Sequence, residues 1–422
     1  MKIKLVLAIA VILCILGGAY YMSQNTPFGA TITSKAELQR RIQDLNGRKI
    51  SGFIDGGLTL ENVTLKGTTF IDVEARNSHF KNVIFEDCTF IKVDFRESTF
   101  ENVSFIGGKM AYRGDTNFRY NLTNFAGSVF SGTVLFDSVT LDNAYISGIQ
   151  GGNDNLVVFR NMQGIRNGMS VINGDDINLR VENCSSEEYL FAALFENSTI
   201  YAINSTFTGS GFAGKAEAVY IDNCKLLDGS TGGVARTVVI KNSILCGGVG
   251  NSTPFTKHIY LINNQYPETK QGLTTLACGD STTVFIDGRN VKNACMAIFG
   301  GKITVRDVNF DWLRLSEKTA PSEELNFHNV TIRKGDWRKV TLKSGQWENV
   351  TIYPPVQVPD ATIQNVKTRY LTFPQGSPWV DRNSATSIDI QDSPIPFEWP
   401  EVHVPTPEEL GIKPKDGAAA KG

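Results

Sequence analysis

The chain has 422 residues, 20% of them charged, and its 41 Lys or Arg against 43 Asp or Glu give a net charge of −2. A nucleic-acid-binding surface needs a clear excess of positive charge, so nucleic acid is not an expected partner. The 41% of hydrophobic residues and the 39 glycines are those of an ordinary folded chain.

Residues 1–24 are predicted to direct export. Two lysines precede an uncharged apolar run from Leu5 to Met22. One interpretation is a signal peptide cleaved near the small residues Gly17 to Ala19. The other is a retained transmembrane helix with Tyr20 and Tyr21 at the membrane interface. Both place the remainder outside the cytoplasm, either secreted or anchored in the inner membrane and facing the periplasm.

A short helix is predicted within residues 25–49, which otherwise form a linker. Ser34 and Glu37 stand at the spacing of a capping box, and Asn46-Gly47 supplies a helix stop. One helical face carries apolar side chains, at Leu38, Ile42 and Leu45. We expect this helix to cover the open N-terminal edge of the fold that follows.

Phenylalanine recurs every fifth residue in the segment 50–149. The repeat places it at Phe80, Phe85, Phe90, Phe95, Phe100 and Phe105. A period of five fits neither a helix nor a free strand, so the chain must turn a corner in each repeat. Near Leu135-Phe136 the register slips once, and the period continues at Leu141 and Ile146. These residues predict a coil of short strands with the phenylalanines inside.

Residues 58–146 resemble the pentapeptide-repeat family, in which the central residue is Leu or Phe and the residue two before it is small. Here those preceding residues are Ser78, Val83, Cys88, Val93, Ser98 and Val103. The resemblance implies a square coil with four repeats in each turn.

A longer repeat follows in residues 150–375, where an octad of alternating apolar residues with Asn at its fifth position recurs. Its fifth positions are Asn183, Asn204, Asn223, Asn242, Asn263, Gly288, Asp307, Asn329, Asn349 and Asn365. The same octad already stands at Leu58 to Leu65, so we expect one architecture through both segments. Asn and Gly both tolerate the left-handed dihedrals of a bend, so Gly288 is expected to replace Asn on that ground.

The octad segment resembles the right-handed β-helix family that includes the pectin lyases. The predicted fold class is therefore all-β: a single right-handed parallel β-helix, or β-solenoid, in which an Asn ladder joins the turns. With about twenty residues in each turn, residues 50–375 give about sixteen turns and a rod of roughly 75 Å.

Residues 376–422 are predicted to form an extended Pro-rich tail. Eight of the fifteen prolines lie at or after Pro374. A proline-rich segment favours an extended chain over a compact one. We expect the apolar stretch from Ile395 to Val404 to pack against the last turn, and Gly417 to Gly422 to be disordered.

Few residues suggest catalysis or a metal site. Asn173-Gly-Asp-Asp176 resembles the paired-aspartate motif of the polygalacturonase family, but that family's other motifs are absent, and we interpret Asp175-Asp176 as a polar turn. No CxxC or paired Cys-His spacing occurs, so no catalytic residue, metal or cofactor is predicted. One disulfide among Cys246, Cys278 and Cys295 is an open alternative to free buried thiols.

A binding surface is the better-supported site, because solenoids present flat faces on which side chains of neighbouring turns align. The candidate binding residues are Trp312, Arg314, Trp337, Arg338 and Trp347. Indole rings stack on sugar rings and guanidinium groups hold carboxylates or phosphates, so an anionic glycan is the expected ligand. Trp347 has an alternative interpretation as an inward residue aligned with Phe327.

The sequence leaves two functions open. The first is a non-catalytic scaffold or binding rod of the cell envelope, which contacts a glycan or an envelope protein assembly and reaches the membrane through its N-terminal segment. The second is an enzyme, a lyase or hydrolase that acts on uronic-acid polymers. No constellation of catalytic residues supports the enzyme, so the binding rod is preferred.

Overall fold

The structure is a computed structural model. It describes residues 30–31, 45–53, 57–111, 123–142, 144–165, 171–187, 191–209, 211–231, 235–250, 255–268, 273–289, 291, 293–315, 322–380, 386–399 and 401–413. The predicted export segment, nearly all of the predicted capping helix and residues 417–422 lie outside these ranges. Within them, no helix is long and apolar enough to cross a membrane.

The described part of the chain is built from strands. The first half contains β1 (Ala30–Thr31), β2 (Lys49–Phe53), β3 (Thr59–Lys66), β4 (Thr69–Glu74), β5 (His79–Glu86), β6 (Thr89–Ile91), β7 (Thr99–Ile106), β8 (Lys109–Ala111), β9 (Thr123–Asn124), β10 (Val129–Asp137), β11 (Thr140–Asp142), β12 (Ala144–Gly151), β13 (Leu156–Arg160), β14 (Ile172–Asp175), β15 (Asn178–Glu182), β16 (Ser185–Ser186), β17 (Ala192–Leu194), β18 (Thr199–Ile203) and β19 (Thr206–Thr208). The second half contains β20 (Phe212–Gly214), β21 (Ala218–Asp222), β22 (Lys225–Thr231), β23 (Thr237–Lys241), β24 (Ile244–Val249), β25 (His258–Ile262), β26 (Thr274–Ala277), β27 (Thr283–Asp287), β28 (Ala294–Phe299), β29 (Gly301–Arg306), β30 (Asn309–Leu315), β31 (Ser322–Ile332), β32 (Gly335–Asp336), β33 (Thr341–Leu342), β34 (Gly345–Ile352), β35 (Val356–Gln357), β36 (Thr362–Thr372), β37 (Trp379–Val380) and β38 (Ser387–Asp392).

These strands wind into a right-handed parallel β-solenoid of about 14 turns, which confirms the predicted parallel β-solenoid. One interior column runs through both repeat segments. Its members are Leu65, Phe85, Phe105, Phe136, Phe159, Val181, Ala202, Ile221, Ile240, Leu261, Ile286, Val305, Phe327, Trp347 and Thr368. The turns are fewer than the predicted sixteen because some are long: Phe136 follows Phe105 by 31 residues, and Ile286 follows Leu261 by 25.

The fifth-residue phenylalanines fill the interior, as their period predicts. All six from Phe80 to Phe105 are at most 3% exposed. Rings in successive turns stack face to face, with centroids 4.9 Å apart for Phe80 and Phe100 and 5.0 Å apart for Phe85 and Phe105. Each such pair adds about 0.5–1.5 kcal/mol beyond the burial of its apolar area.

A corner follows each pentad. Every fifth residue has a positive φ, at Gly57, Asn62, Gly67, Asp72, Asn77, Asn82, Asp87, Lys92, Glu97, Asn102 and Gly107. The predicted register slip is a bulge between Ser131 and Val134. Its glycine, Gly132, has φ 57°, and a Cβ there would lie 2.1 Å from Asn102 Oδ1. A side chain at this position would displace the Asn102 carboxamide, whose Oδ1 accepts a hydrogen bond from Thr133 N at 3.1 Å, so glycine is favoured.

Nine of the ten octad positions are left-handed corners, and side-chain hydrogen bonds of the predicted ladder join several of them. Asn223 Nδ2 donates to Asn204 Oδ1 at 2.7 Å, and Asn349 Nδ2 donates to Asn329 Oδ1 at 2.8 Å. These corner residues have φ between 51° and 54°. In such hydrogen bonds between left-handed corners, the side-chain amides bind one another. They would otherwise compete for the hydrogen-bonding groups of the backbone.

Gly288 does not have a positive φ, so the prediction that it replaces Asn because both tolerate left-handed dihedrals is wrong. Glycine is needed there for space, since a Cβ would lie 2.7 Å from Val308 Cγ2. The octad also assigns Asn365 to the wrong corner. Its Nδ2 donates to the Lys343 carbonyl, one corner before that of Asn349. The position after Asn349 belongs to Tyr370, which has φ 60°.

The solenoid continues to Asp392, past residue 375. β37 pairs with β35, and β38 pairs with β36. Residues 393–399 and 401–413, which we call the strap, then turn back along the outer face of one sheet. This sheet contains β21, β23, β25, β27, β29, β31 and β34. The strap therefore lies along the side of the rod rather than on its last turn alone.

Two contacts fix the path of the strap. Near its start, Trp399 Nε1 donates to Glu348 Oε2 at 2.6 Å, on β34. Near its end, Ile412 is 4% exposed and packs against Ala218 and Val239, on β21 and β23. Six strand spacings of about 4.8 Å separate β34 from β21, so the strap covers about 30 Å of the rod.

Candidate binding cleft

Two of the five predicted binding residues, Trp337 and Trp347, are in the core and not on a surface. Both are 0% exposed. The Trp347 ring lies 5.4 Å from that of Phe327, and its Nε1 donates to the Leu325 carbonyl at 3.1 Å. Neither indole can meet a ligand from solvent, so the prediction was wrong for these two residues, and the inward alternative for Trp347 is correct.

A signal for their burial stands in the sequence. Each tryptophan is preceded two residues earlier by a glycine on the same side of the strand, Gly335 and Gly345. A Cβ on Gly335 would lie 3.1 Å from Trp337 Nε1, and one on Gly345 would lie 3.2 Å from Trp347 Nε1. The motif Gly-x-Trp thus indicates an indole packed where a side chain at the glycine position would lie. Such close packing is typical of a protein interior.

The other three predicted residues lie on the outside. Trp312 and Arg314 alternate with the buried Leu313 on β30, so both point outward, with Trp312 half-buried and Arg314 exposed. Arg338 is exposed, and its Nε lies 2.8 Å from Asp336 Oδ1. Only Trp312 of these three lines a cleft.

The cleft has a volume of about 890 Å³ and lies where β30 changes partners. Asn309 and Phe310 pair with β31, whereas Leu313 and Arg314 pair with β32, so Trp312 stands at the corner between two sheets. The register of β28 against β30 is also irregular just before Cys295. The corner, residues 265–268 and residues Asn293 and Cys295 therefore border a recess.

The cleft is lined by polar and apolar surface in similar amounts and carries both signs of charge. Arg333 and Lys334 form one side, and Arg333 Nε lies 3.4 Å from Asp311 Oδ1. That pair is well exposed, so it stabilises the fold little and can be rearranged by a ligand. Lys334 forms no ion pair with any described residue, and its exposed ammonium is available to an anion.

The thiol of the cleft is not an activated nucleophile. Burial raises the pKa of Cys295, and the negative charges of Glu268 and Asp311 raise it further. A catalytic thiol needs the opposite shift, toward the thiolate. Tyr266 is likewise fully buried, and burial raises its pKa. The titratable groups of the cleft thus suit binding better than covalent chemistry.

The two aspartates of the polygalacturonase-like motif have different structural environments. Asp175 is exposed, whereas Asp176 is a corner residue with φ 54°. Its Oδ1 accepts a hydrogen bond from Asn197 Nδ2 at 2.9 Å, and its Oδ2 accepts one from Gln150. Asp176 thus belongs to a corner ladder, in agreement with the polar-turn interpretation.

Cysteines and metal ligands add no second centre in the part of the chain that the structure describes. Cys246, Cys278 and Cys295 form no disulfide bond with a described residue, and the same holds for the other described cysteines. No group of three His, Cys, Asp or Glu side chains in the described ranges is arranged to hold a metal ion.

No protein-family model, curated protein or solved structure matches this chain. The pentapeptide-repeat and pectin-lyase-like resemblances therefore stay predictions.

Proposed function

We propose that this chain is a non-catalytic binding rod of the cell envelope that holds an anionic glycan in the cleft around Trp312. The observation that carries the proposal is the position of that indole. It is half-buried, faces outward from β30 and lies in the same cleft as Lys334 and Arg333. An aromatic face beside cations is the combination that binds a sugar ring bearing a carboxylate or phosphate.

The size of the cleft agrees with an oligosaccharide. At about 890 Å³, its volume falls in the upper part of the range of small-molecule sites. Arg314, exposed two residues after Trp312, extends the cationic surface beyond the cleft along the same strand. A glycan chain that enters the cleft would meet this second guanidinium on leaving it.

The rod sets the cleft apart from the N-terminal end. Eleven steps along the interior column separate Leu65 from Val305, in the turn that leads to Trp312, and at about 4.8 Å each they span about 50 Å. If residues 1–24 hold the chain at the inner membrane, the solenoid acts as a spacer. It then presents the cleft to cell-wall glycan or to an envelope assembly.

The binding proposal is tested by retention on immobilised acidic polysaccharide at low and moderate salt. We expect Trp312→Ala to weaken retention about tenfold, roughly 1.4 kcal/mol, and Lys334→Ala to weaken it mainly at low salt. The matched controls are Tyr370→Ala, which removes an exposed aromatic outside the cleft, and Arg338→Ala, which removes an exposed cation outside it. Equal loss in controls and cleft variants would refute the proposed site.

The non-catalytic part of the proposal has its own measurement. Purified protein is incubated with a panel of uronic-acid polymers, with and without calcium. We expect no new reducing ends and no unsaturated products. Either product, abolished by a cleft substitution, would establish the polysaccharide-modifying enzyme instead.

The envelope location is tested by fractionating cells and sequencing the N-terminus of the mature chain. An intact N-terminus in the membrane fraction supports an anchored rod. A chain that begins near Tyr20 supports a secreted one. Recovery of an intact chain from the cytoplasm would contradict the envelope proposal.

A further inference from the structure

A second recess lies beneath the strap, on a different face of the solenoid from the Trp312 cleft. Its volume is about 270 Å³. The floor is formed by outward side chains of four consecutive strands, β27, β29, β31 and β34, and the roof by Glu398, Trp399 and Val402 of the strap. We call this recess the strap pocket. It exists only because the chain returns over its own sheet.

The roof of the strap pocket is held in place by a network of side chains. Trp399 Nε1 donates to Glu348 Oε2 at 2.6 Å, and its ring centroid is 4.9 Å from that of His328. The Glu348 carboxylate is itself oriented by Arg369, whose Nη1 lies 3.4 Å from Oε1. An indole fixed in this way is a preorganised wall, so a ligand that packs on it loses little to ordering of the protein.

The floor contains a buried donor with no acceptor. Arg306 Nε is inaccessible to solvent and makes no hydrogen bond within the described residues, while its guanidinium carbon lies 5.5 Å from the centroid of the Phe285 ring. A buried donor left without a partner costs about 1–3 kcal/mol, so native structures rarely leave one unexplained. Arg306 lines the strap pocket, and an acceptor oxygen bound there would lie beside this guanidinium.

The charged groups of the floor and the roof balance one another. Two cations, Lys302 and Arg306, are matched by two carboxylates, Glu324 and Glu398. Asn326 Nδ2 already donates to Glu324 Oε1 at 2.7 Å, which leaves the second carboxylate oxygen for a ligand donor. A net anion would face two carboxylates and a net cation would face two basic groups, so neither is favoured.

We infer that the strap pocket binds a single neutral pyranose unit, with the sugar ring against Trp399 and its hydroxyl oxygens on Arg306 and Glu324. A sugar hydroxyl both donates and accepts, which suits a floor that presents both kinds of group. At about 270 Å³ the pocket lies just below the range of small-molecule sites, which suits one sugar ring rather than an oligosaccharide lying flat. The site is independent of the anionic-glycan cleft proposed above.

Binding at this site is linked to the position of the strap. The ligand would contact the roof and the floor together, so it would stabilise the closed strap by mass action. The exposed Glu401, next to the roof residue Val402, then becomes harder to cleave by a glutamate-specific protease when the pocket is filled. This effect distinguishes binding in the strap pocket from binding elsewhere on the rod.

The test uses the full chain and four probes: a methyl hexopyranoside, an N-acetylated methyl hexosaminide, a uronate of the same ring and a free amino acid. Binding is measured by calorimetry, and cleavage after Glu401 is followed in parallel. We expect one of the two neutral glycosides to bind with a dissociation constant on the order of 1 mM, typical of so small a ligand, and to slow cleavage.

Two arginine variants separate this inference from the proposed function. Arg306→Met keeps an unbranched stem to pack on Phe285 and removes the donors, so we expect about a tenfold loss of neutral-sugar affinity. Arg314→Met, on the other face, should leave that affinity unchanged while weakening retention on acidic polysaccharide. The inference is overturned if no neutral glycoside binds, if the uronate or the amino acid binds better, or if Arg306→Met binds like the parent.

Discussion

Replacing Trp347 by Ala tests whether the tryptophans of the last turns are structural or ligand-binding. The indole is fully buried, stands over Phe327 and fills space that Gly345 leaves open. Removing it deletes a large interior side chain, which costs about 3–5 kcal/mol when the cavity does not collapse. The Leu325 carbonyl also loses the Nε1 donor, adding about 1 kcal/mol. We therefore expect a loss of about 4–6 kcal/mol.

The assay is urea unfolding followed by circular dichroism, with Trp312→Ala as the matched control. With a slope of about 3 kcal/mol/M, a loss of 4 kcal/mol lowers the midpoint by about 1.3 M. Trp312 is half-buried in an open cleft, so its replacement should lower the midpoint by less than about 0.5 M. Because solenoid turns contact only their neighbours, the transition of the Trp347 variant is also expected to broaden.

Binding measurements complete the comparison. The Trp347 variant, studied where it is still folded, should be retained on acidic polysaccharide like the parent. The Trp312 variant should be stable and poorly retained. If Trp347→Ala unfolds like the parent but loses retention, the interior assignment of this column is refuted.

Three further predictions concern the solenoid itself. Gly108→Ala would place a Cβ 2.0 Å from a backbone carbonyl oxygen of the preceding turn, at φ 73°, so we expect a loss above about 3 kcal/mol in thermal melts, or no folding. Asn349→Gly keeps the left-handed corner but removes the 2.8 Å bond to Asn329, and should cost about 1 kcal/mol in urea, with Asn349→Ala costing about 1–2 kcal/mol more. Burial raises the pKa of Cys184 to about 11 and of Cys224 to about 12, whereas the unfolded thiols ionise near pH 9. These two thiols should therefore not change the stability below pH 8 and should lower it by about 3 kcal/mol between pH 8 and pH 10, and replacing both cysteines by Ala should abolish that contribution.

The interior and its corners were predictable because both repeat in the sequence. A residue such as Phe100 is inside for the same reason as Phe80 one turn before it, so each repeat adds independent support to the same assignment. The corner asparagines were predictable for the same reason, since they repeat and a left-handed φ restricts the choice of residue. Six phenylalanines or nine left-handed corners therefore reveal a geometry that one residue alone would not.

The candidate site was only partly predictable, because composition does not specify which way a side chain points. Counting tryptophans and cations in the last turns grouped Trp312 with Trp337 and Trp347, although strand alternation and the preceding glycines separate them. The octad likewise missed Tyr370, which takes a corner position that Asn holds elsewhere. The first error came from disregarding the repeat, and the second arose where one residue departed from it.

The strap pocket was beyond sequence reasoning for a different physical reason. Its roof and floor come from segments with no shared period: Trp399 meets Glu348 across 51 residues, with no repeat to relate them. A proline-rich segment predicts an extended chain but not the surface on which it lies. The functional consequence is general for solenoids. Repeats build a uniform rod whose faces differ little from turn to turn. We therefore expect selective sites where the period is interrupted, as proposed for the corner of Trp312, or where a non-repeating segment covers a face, as proposed for the strap pocket.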